Sequence, residues 1–139
     1  MSKIIAIDYG LKRTGIAYAE PPLYIAHPLQ SMKTENLLLF LEHYVNENSI
    51  NTIVIGEPKK LDGRATHLSD SVKALKTKLV NKFSDVEITF YDERFTSKLA
   101  KQTMLIGGVK KKDRRKKENV DLISAVIILQ DYLSANKDL

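Results

Sequence analysis

Residues 4–15 read Ile4-Ile5-Ala6-Ile7-Asp8-Tyr9-Gly10-Leu11-Lys12-Arg13-Thr14-Gly15, and they carry the strongest structural signal in the chain. The opening apolar run is typical of a fully buried strand, and this strand ends in the carboxylate of Asp8. Gly10 and Gly15 allow tight backbone geometry and the close approach of a ligand or a second strand. Lys12 and Arg13 lie between the two glycines. The segment therefore predicts that a core strand holds a metal ion and a phosphate at its end.

The composition is that of a globular protein. The chain has 139 residues, of which 43% are hydrophobic and 28% are charged, and we expect residues 1–139 to form a single domain. It has no cysteine, which excludes a disulfide scaffold, thiol catalysis and a thiolate zinc site, and which fits a cytoplasmic protein. We expect no signal peptide and no membrane segment, because the longest apolar runs fall far short of the roughly 20 residues that span a bilayer.

Positive charge is concentrated in one part of the chain. The formal net charge is +5, yet residues 110–117, here called the basic segment, combine seven cations with one acid, so the rest of the chain is close to neutral. The cations are Lys110, Lys111, Lys112, Arg114, Arg115, Lys116 and Lys117. Such a patch is either a solvated loop or a docking place for a polyanion, and we expect it to contact nucleic-acid phosphates. Contacts of this kind supply affinity and salt dependence rather than sequence choice.

Hydrophobic periodicity predicts the element order β-β-β-α-β-α-β-α-α. We expect strands over residues 3–8, 14–20, 23–29, 52–55 and 86–91, with the third at a sheet edge because of Pro28. We expect helices over about 35–48 with Thr34 as N-cap, 66–82, from Thr96 or Ser97 to Gly107-Gly108, and from an Asn119 cap to about Ala135. The fold class is therefore α/β: a mixed five-stranded sheet, with an antiparallel three-stranded meander plus parallel strands, flanked by helices. The first and fourth strands should lie side by side at its centre.

Acidic residues recur where these elements meet. Asp8 follows the first strand, Asp92 and Glu93 follow the last strand, and Asp121 is expected in the first turn of the last helix. In an open sheet, ligands collect beyond the carboxyl ends of the strands. Acids clustered there repel one another unless a cation bridges them, and oxygen ligands favour Mg²⁺ or Mn²⁺. Such ions activate water and stabilise the leaving oxygen in phosphodiester cleavage.

Each acid also has a simpler interpretation. Asp121 is favoured near a helix N-terminus by the helix dipole alone, and Asp92 and Glu93 could end a strand in solvent. Because side chains alternate along a strand, only one of that pair should face the site. The segment Gly56-Glu57-Pro58 is either a plain strand-ending turn or a part of the same cleft. Asp8 is harder to explain without a partner, since it extends a buried apolar strand.

Four motifs in this order resemble the YqgF/RuvX family of pre-16S rRNA nucleases and Holliday junction resolvase-like proteins, and the likeness extends over nearly the whole chain. They are Asp8-Tyr9-Gly10-Leu11-Lys12-Arg13-Thr14-Gly15-Ile16-Ala17, Gly56-Glu57-Pro58, Asp92-Glu93-Arg94-Phe95-Thr96-Ser97, and Val120-Asp121 leading into Ala125-Val126-Ile127-Ile128-Leu129-Gln130. The resemblance implies a ribonuclease H-like fold, with Asp8, Glu93 and Asp121 as catalytic, metal-binding acids. It also implies 5′-end maturation of 16S rRNA in the bacterial cytoplasm. Glu57 and Ile123-Ser124 depart from the family's usual pattern outside this triad.

The leading hypothesis is a hydrolase acting on ester bonds: a Mg²⁺- or Mn²⁺-dependent nuclease, with RNA, including the ribosome precursor, as the favoured substrate. Lys12, Arg13 and Arg94 would neutralise the scissile phosphate. One alternative is a Holliday junction resolvase-like DNA endonuclease, which calls for two active sites, normally in a twofold dimer; monomer and homodimer both stay open. Another is a non-catalytic ribosome assembly factor that binds nucleic acid. A third is an ATP-binding protein of the actin/hexokinase type, which the chain length disfavours.

Overall fold

The structure is a computed structural model that describes residues 3–57, 69–92 and 117–136. Its strands are β1 Lys3–Tyr9, β2 Arg13–Ala19, β3 His27–Lys33, β4 Ile50–Glu57 and β5 Glu87–Asp92. A 3₁₀ turn, Thr34–Asn36, leads into helix α1, Leu37–Glu47. The other helices of the described residues are α2, Ser69–Lys82, and α3, Lys117–Ala135.

The five strands form one mixed sheet in the order β3-β2-β1-β4-β5. Strands β1, β2 and β3 make an antiparallel meander. Strands β4 and β5 continue the sheet in parallel with β1. The predicted fold class is confirmed, as are the central pairing of β1 with β4 and the edge position of the strand that contains Pro28.

Strand β1 is apolar throughout because helices cover both faces of the sheet. On the face called here the α1–α2 face, Ile5 and Ile7 are fully buried in a cluster that includes core residues of α1 and α2. On the opposite α3 face, Ala6 is buried in a second cluster. In that cluster, the sheet side chains Ile4, Ala17, Ala19 and Val54 pack against α3. The α3 residues are Ala125, Ile128, Leu129 and Leu133. The alanines allow α3 to lie close to the strands.

The third strand was predicted in the wrong place. It begins at His27, four residues later than the apolar pattern suggested. Tyr24 has a left-handed φ of 49°, and its amide donates to the Glu20 carbonyl at 3.0 Å, so the chain turns there instead of extending. Leu23 and Ile25, the source of the strand signal, are 77% and 50% exposed.

The last helix also begins earlier than predicted. Because α3 begins at Lys117, Asn119 lies within the helix and is not its N-cap. Asp121 is consequently in the second turn rather than the first, where the helix dipole has largely faded as an explanation for an acid. Strand β4 is longer than predicted and continues through Gly56 to Glu57.

Several predicted features lie outside the described residues. They include the helix expected between Thr96 and Gly107, the acid Glu93, the cation Arg94, and all of the basic segment except the backbone of Lys117 at the start of α3. In the described part of the chain, no helix is long and apolar enough to cross a membrane.

Candidate active site

Asp8 lies near the C-terminal end of β1 on the α3 face, two residues after Ala6 in the strand alternation. Its register partner on β2 is Gly15. On the other side of β1, Gly56 of β4 lies one residue beyond the partner of Ile7. Two glycines therefore flank Asp8. Because neither carries a side chain, the backbone of a packed element can approach the sheet closely beside Asp8.

Helix α3 rests directly on one of these glycines. A Cβ atom built on Gly15 would lie 2.5 Å from the carbonyl carbon of Asp121 and 3.0 Å from the amide nitrogen of Leu122, and it would collide with the Asp121 carbonyl oxygen. The absence of a side chain at Gly15 is thus what allows the helix to approach. Since Gly15 pairs with Asp8, this contact brings Asp121 to the same end and the same face of the sheet as Asp8.

Arg13 is ion-paired with Asp121 at this end of the sheet. It lies on the α3 face, two residues before Gly15, and its Nε is 4.0 Å from Oδ2 of Asp121. This distance is too long for a hydrogen bond but short enough for an ion pair. The two side chains are 30% and 16% exposed, so the attraction acts in a partly desolvated setting. Arg13 therefore offsets the repulsion between neighbouring carboxylates.

Further cations surround Arg13. Its register partner on β3 is Lys33, and both residues line a surface depression of about 470 Å³ with Leu11, Lys12 and Glu35. Like charges directly opposite one another destabilise a sheet, and an anion bound between them would relieve that repulsion. Sequence reasoning missed Lys33 because β3 was misplaced, and with it the register that sets Lys33 opposite Arg13.

Two other acids face away from this site. Glu57 and Asp92 are register partners at the ends of β4 and β5. The alternation that buries Ile55 and Ile88 in the α1–α2 cluster puts Glu57 and Asp92 on that face as well. The segment Gly56-Glu57-Pro58 thus contributes Gly56 to the neighbourhood of Asp8, but not the Glu57 side chain.

Of the predicted site residues, the structure brings together Asp8, Asp121 and Arg13, with Lys12 on the adjoining turn. Glu93, Arg94 and the side chains of the basic segment lie outside the described residues. Among the residues that are described, no group of three or more acidic, histidine or cysteine side chains is arranged to hold a metal. The catalytic and metal-binding roles of Asp8, Glu93 and Asp121 therefore remain a prediction.

Thr34 was predicted to be a helix N-cap, and that role is wrong. No side-chain capping bond is present at the start of the 3₁₀ turn. The Thr34 hydroxyl instead donates to the carbonyl oxygen of Gly10 at 2.6 Å. This partner precedes it by 24 residues, so local sequence gave no signal for the contact.

The surface where α3 lies near β5 carries acids, in contrast to the cations near β2 and β3. Burial raises the pKa of the Tyr91 phenol, and the charges of Asp131 and Asp92 raise it further. Burial and then Glu87 likewise raise the pKa of Tyr132, and burial raises the pKa of the Asp131 carboxyl. Acids therefore lie close to both phenols. A polyanion is therefore favoured on the β2–β3 side of the described surface.

Comparison with known proteins gives a consistent picture. The family model described as "RuvX: Holliday junction resolvase" matches residues 2–135. A protein of Flavobacterium psychrophilum named "Putative pre-16S rRNA nuclease" is 46% identical over 134 residues, which cover 96% of this chain and 98% of the relative. A protein of Phocaeicola vulgatus with the same name is 44% identical over 137 residues, 99% of each chain.

Solved structures with the same fold include two resolvases. RuvC of T. thermophilus in complex with a Holliday junction substrate gives a TM-score of 0.59 at 15% identity, over 97% of this chain and 96% of that one. The fowlpox virus Holliday junction resolvase gives a TM-score of 0.57 at 15% identity, over 99% of both chains. At this level of identity the likeness shows the fold alone, and it confirms the expected ribonuclease H-like, resolvase-type architecture.

Proposed function

The chain belongs to the RuvX family, and we propose that it is a metal-dependent nuclease that hydrolyses phosphodiester bonds during 5′-end maturation of pre-16S rRNA. The observation that carries this proposal is the approach of Asp121 to Asp8 across Gly15. Two carboxylates, an ion-paired arginine and an adjoining lysine meet at the carboxyl end of a central strand. This combination suits a phosphate and a cation that bridges it to the acids.

The donor set fits a hard divalent cation. Carboxylate oxygens of Asp8 and Asp121 would hold Mg²⁺ or Mn²⁺. Glu93 is the proposed third ligand, as the family resemblance implies, since Asp92 lies on the other face of the sheet. When bound, the cation would lower the pKa of a water molecule and offset the charge that develops on the phosphate.

The remaining residues would bind and orient the substrate. Arg13 and Lys12 would contact phosphate oxygens beside the scissile bond, since both line one depression and Arg13 is ion-paired with Asp121. Arg94 and the basic segment would hold the flanking backbone. Asp8 would also help to orient the attacking water. In this scheme the affinity comes chiefly from cations, whereas bond cleavage depends on the acids.

The test is cleavage of end-labelled single-stranded RNA, single-stranded DNA and a four-way DNA junction, with Mg²⁺, Mn²⁺ or EDTA. Asp8→Asn should lower cleavage by more than about 100-fold, since even changes in residues that merely support a metal ligand cost 10–100-fold. Binding should be retained or strengthened, because a charge that repels phosphate is removed. Asp92→Asn is the matched control, because Asp92 lies at the same end of the sheet but on the other face.

Either of two results would contradict the proposal: full cleavage by the Asp8→Asn variant, or binding without cleavage by the wild-type protein under every metal condition. The second result would favour a non-catalytic assembly factor. Preference for the four-way junction would instead support junction resolution, the activity in the family's description. Symmetric resolution needs two active sites, so a junction preference should coincide with a dimer in solution.

A further inference from the structure

The turn between β1 and β2 holds Lys12 in place without burying it. Leu11 is 58% exposed, and Lys12 is exposed as well, so hydrophobic packing does not fix this turn. The backbone is nonetheless tight, because a Cβ on Gly10 would lie 2.5 Å from the carbonyl oxygen of Arg13. Some other interaction has to select one conformation of the turn.

Thr34 supplies that interaction at both ends of the turn. Its hydroxyl donates to the Gly10 carbonyl at 2.6 Å, and its amide donates to the Lys12 carbonyl at 2.9 Å. One residue of the 3₁₀ turn therefore binds the first and the last residue of the connection. Because α1 follows this 3₁₀ turn and buries Leu37 in the core, the cationic turn is tied to a rigid part of the fold.

A second threonine orients the first. The Oγ1 atoms of Thr14 and Thr34 are 2.8 Å apart. A hydroxyl has a single hydrogen, and that of Thr34 is used on Gly10, so Thr14 must be the donor between the two threonines. Thr14 is fully buried on β2. The hydrogen bonds thus run in series from Thr14 of β2 through Thr34 to Gly10 of the turn. In such a series each hydrogen bond polarises and strengthens the next.

From this network we propose that Thr34 is a positioning residue for substrate: it sets the direction in which Lys12 and Arg13 meet the phosphate backbone. The inference rests on the function proposed above, since it gives these cations a phosphate to bind. Thr34 hydrogen-bonds to Gly10 and Lys12 of the turn and to Thr14 of β2, so it would act on the substrate only through the two cations. Its hydroxyl does not cap its own helix and binds the cationic turn instead.

The test uses Thr34→Val, which keeps the shape and the amide donor but removes the hydroxyl. Binding of a fluorescein-labelled single-stranded RNA, measured by anisotropy in EDTA across a salt series, should weaken about five- to tenfold, the effect of losing the one hydrogen bond that the Thr34 hydroxyl makes to the turn. The slope of log K against log salt should fall by about 0.7, the value of one phosphate contact to a single strand. With Mg²⁺, KM should rise while kcat changes less than twofold.

Three further variants separate positioning from stability. Thr34→Ser retains the hydroxyl and should restore binding to within twofold of wild type. Thr14→Val should weaken binding in the same direction as Thr34→Val, and it provides a second route if the latter folds poorly. Thr52→Val should leave binding unchanged, because Thr52 is equally buried but lies at the other end of the sheet, with its hydroxyl on Asn51.

The outcomes distinguish this inference from the proposed function. If wild-type protein binds RNA and the Thr34→Val variant matches it in affinity and salt slope, the positioning role is overturned and the nuclease proposal stands. A lower melting temperature with an unchanged salt slope would also overturn it, since that is a purely structural effect. In protein that carries Lys12→Ala and Arg13→Ala, Thr34→Val should weaken binding no further; an additional loss would mean that Thr34 acts elsewhere. Wild-type protein that neither binds nor cleaves nucleic acid would overturn both proposals.

Discussion

Ser124 is buried on α3 one turn after Asp121, and its hydroxyl has no hydrogen-bond partner within the described residues. A buried hydroxyl without a partner loses its hydration and gains nothing in return, at a cost of about 1–3 kcal/mol. Ser124→Ala should therefore raise the free energy of unfolding by about 1 kcal/mol, to which the better helix propensity of alanine adds about 0.5 kcal/mol. Urea denaturation measures this as a higher midpoint with an unchanged slope.

Ser134→Ala is the matched control, because Ser134 is exposed on the same helix. It should gain the helix-propensity increment alone. A Ser124→Ala variant that is less stable than wild type would mean that the hydroxyl forms a bond, and it would contradict this account of the α3 interface.

At this scale, sequence indicates residues whose role follows from their position along an element. Asp8 could be chosen as a candidate because a carboxylate at the end of a buried strand requires a partner, and Asp121 because it follows a basic run and opens a helical pattern; the roles of both stay predictions. The hydrogen bond of Thr34 to Gly10 and the pairing of Lys33 with Arg13 could not be predicted, because each depends on how strands distant in sequence align. A hydroxyl beside a predicted helix start favours capping when only local sequence is known.

Among the secondary-structure elements, α3 depends on Gly15 for its position over the sheet. Gly15→Ala should force the helix away from β2, because the new methyl group would overlap the Asp121 carbonyl. We expect a loss of about 1–3 kcal/mol in the free energy of unfolding, as for other overpacked interfaces. Cleavage should fall much further, by more than about 100-fold, because displacing a catalytic group by about 1 Å costs that much. Urea midpoints and kcat/KM on folded protein measure the two effects.

Ala19→Val overpacks the same interface at the other end of β2, where Ala19 is buried in the α3 cluster. It should cost comparable stability and reduce cleavage far less, because Asp121 is remote from it. Equal losses of activity in the two variants would show that α3 moves as a whole, and they would remove the special role of Gly15.

The elements themselves were predictable where burial determines them. Strands β1, β2 and β4 carry apolar runs that only a sheet covered on both faces can bury, so their pairing followed from the pattern. Strand β3 could not be predicted in this way because it is an edge strand held by pairing with β2, and most of its side chains are exposed. Its misplacement shows tertiary context overriding propensity. The prediction of Asn119 as the N-cap was wrong because the helix begins two residues earlier, at charged residues that show no apolar periodicity.

At the scale of the whole molecule, the described residues place cations and acids in different regions. The described surface near β2 and β3 presents Lys12, Arg13 and Lys33, whereas Asp92 and Asp131 lie towards β5. The basic segment precedes α3 in sequence and so leads directly to Asp121. We expect a nucleic-acid strand that contacts both groups of cations to pass near the acids at the carboxyl end of β1.

The position of the cations, rather than the net charge of the protein, should thus determine nucleic-acid affinity. Replacing four cations of the basic segment, Lys110, Lys111, Lys112 and Arg114, with glutamine should lower the slope of log K against log salt for single-stranded RNA by up to about 3, since each lost phosphate contact contributes about 0.7. With saturating substrate the rate of cleavage should change little, because the acids are intact. Anisotropy titrations from low to moderate salt, together with single-turnover cleavage, measure the two quantities.

The matched control replaces the four lysines of α2, Lys73, Lys76, Lys78 and Lys82, with glutamine, which removes the same net charge from the opposite face of the sheet. One of these lysines, Lys82, lies 3.2 Å from Glu42 in a surface ion pair, a contact worth little to stability. If affinity depended on net charge alone, both variants would bind RNA equally weakly. Retention of the wild-type salt slope by the α2 variant, and its loss in the other, would locate the path of the strand on the α3 side, where Asp8 and Asp121 meet.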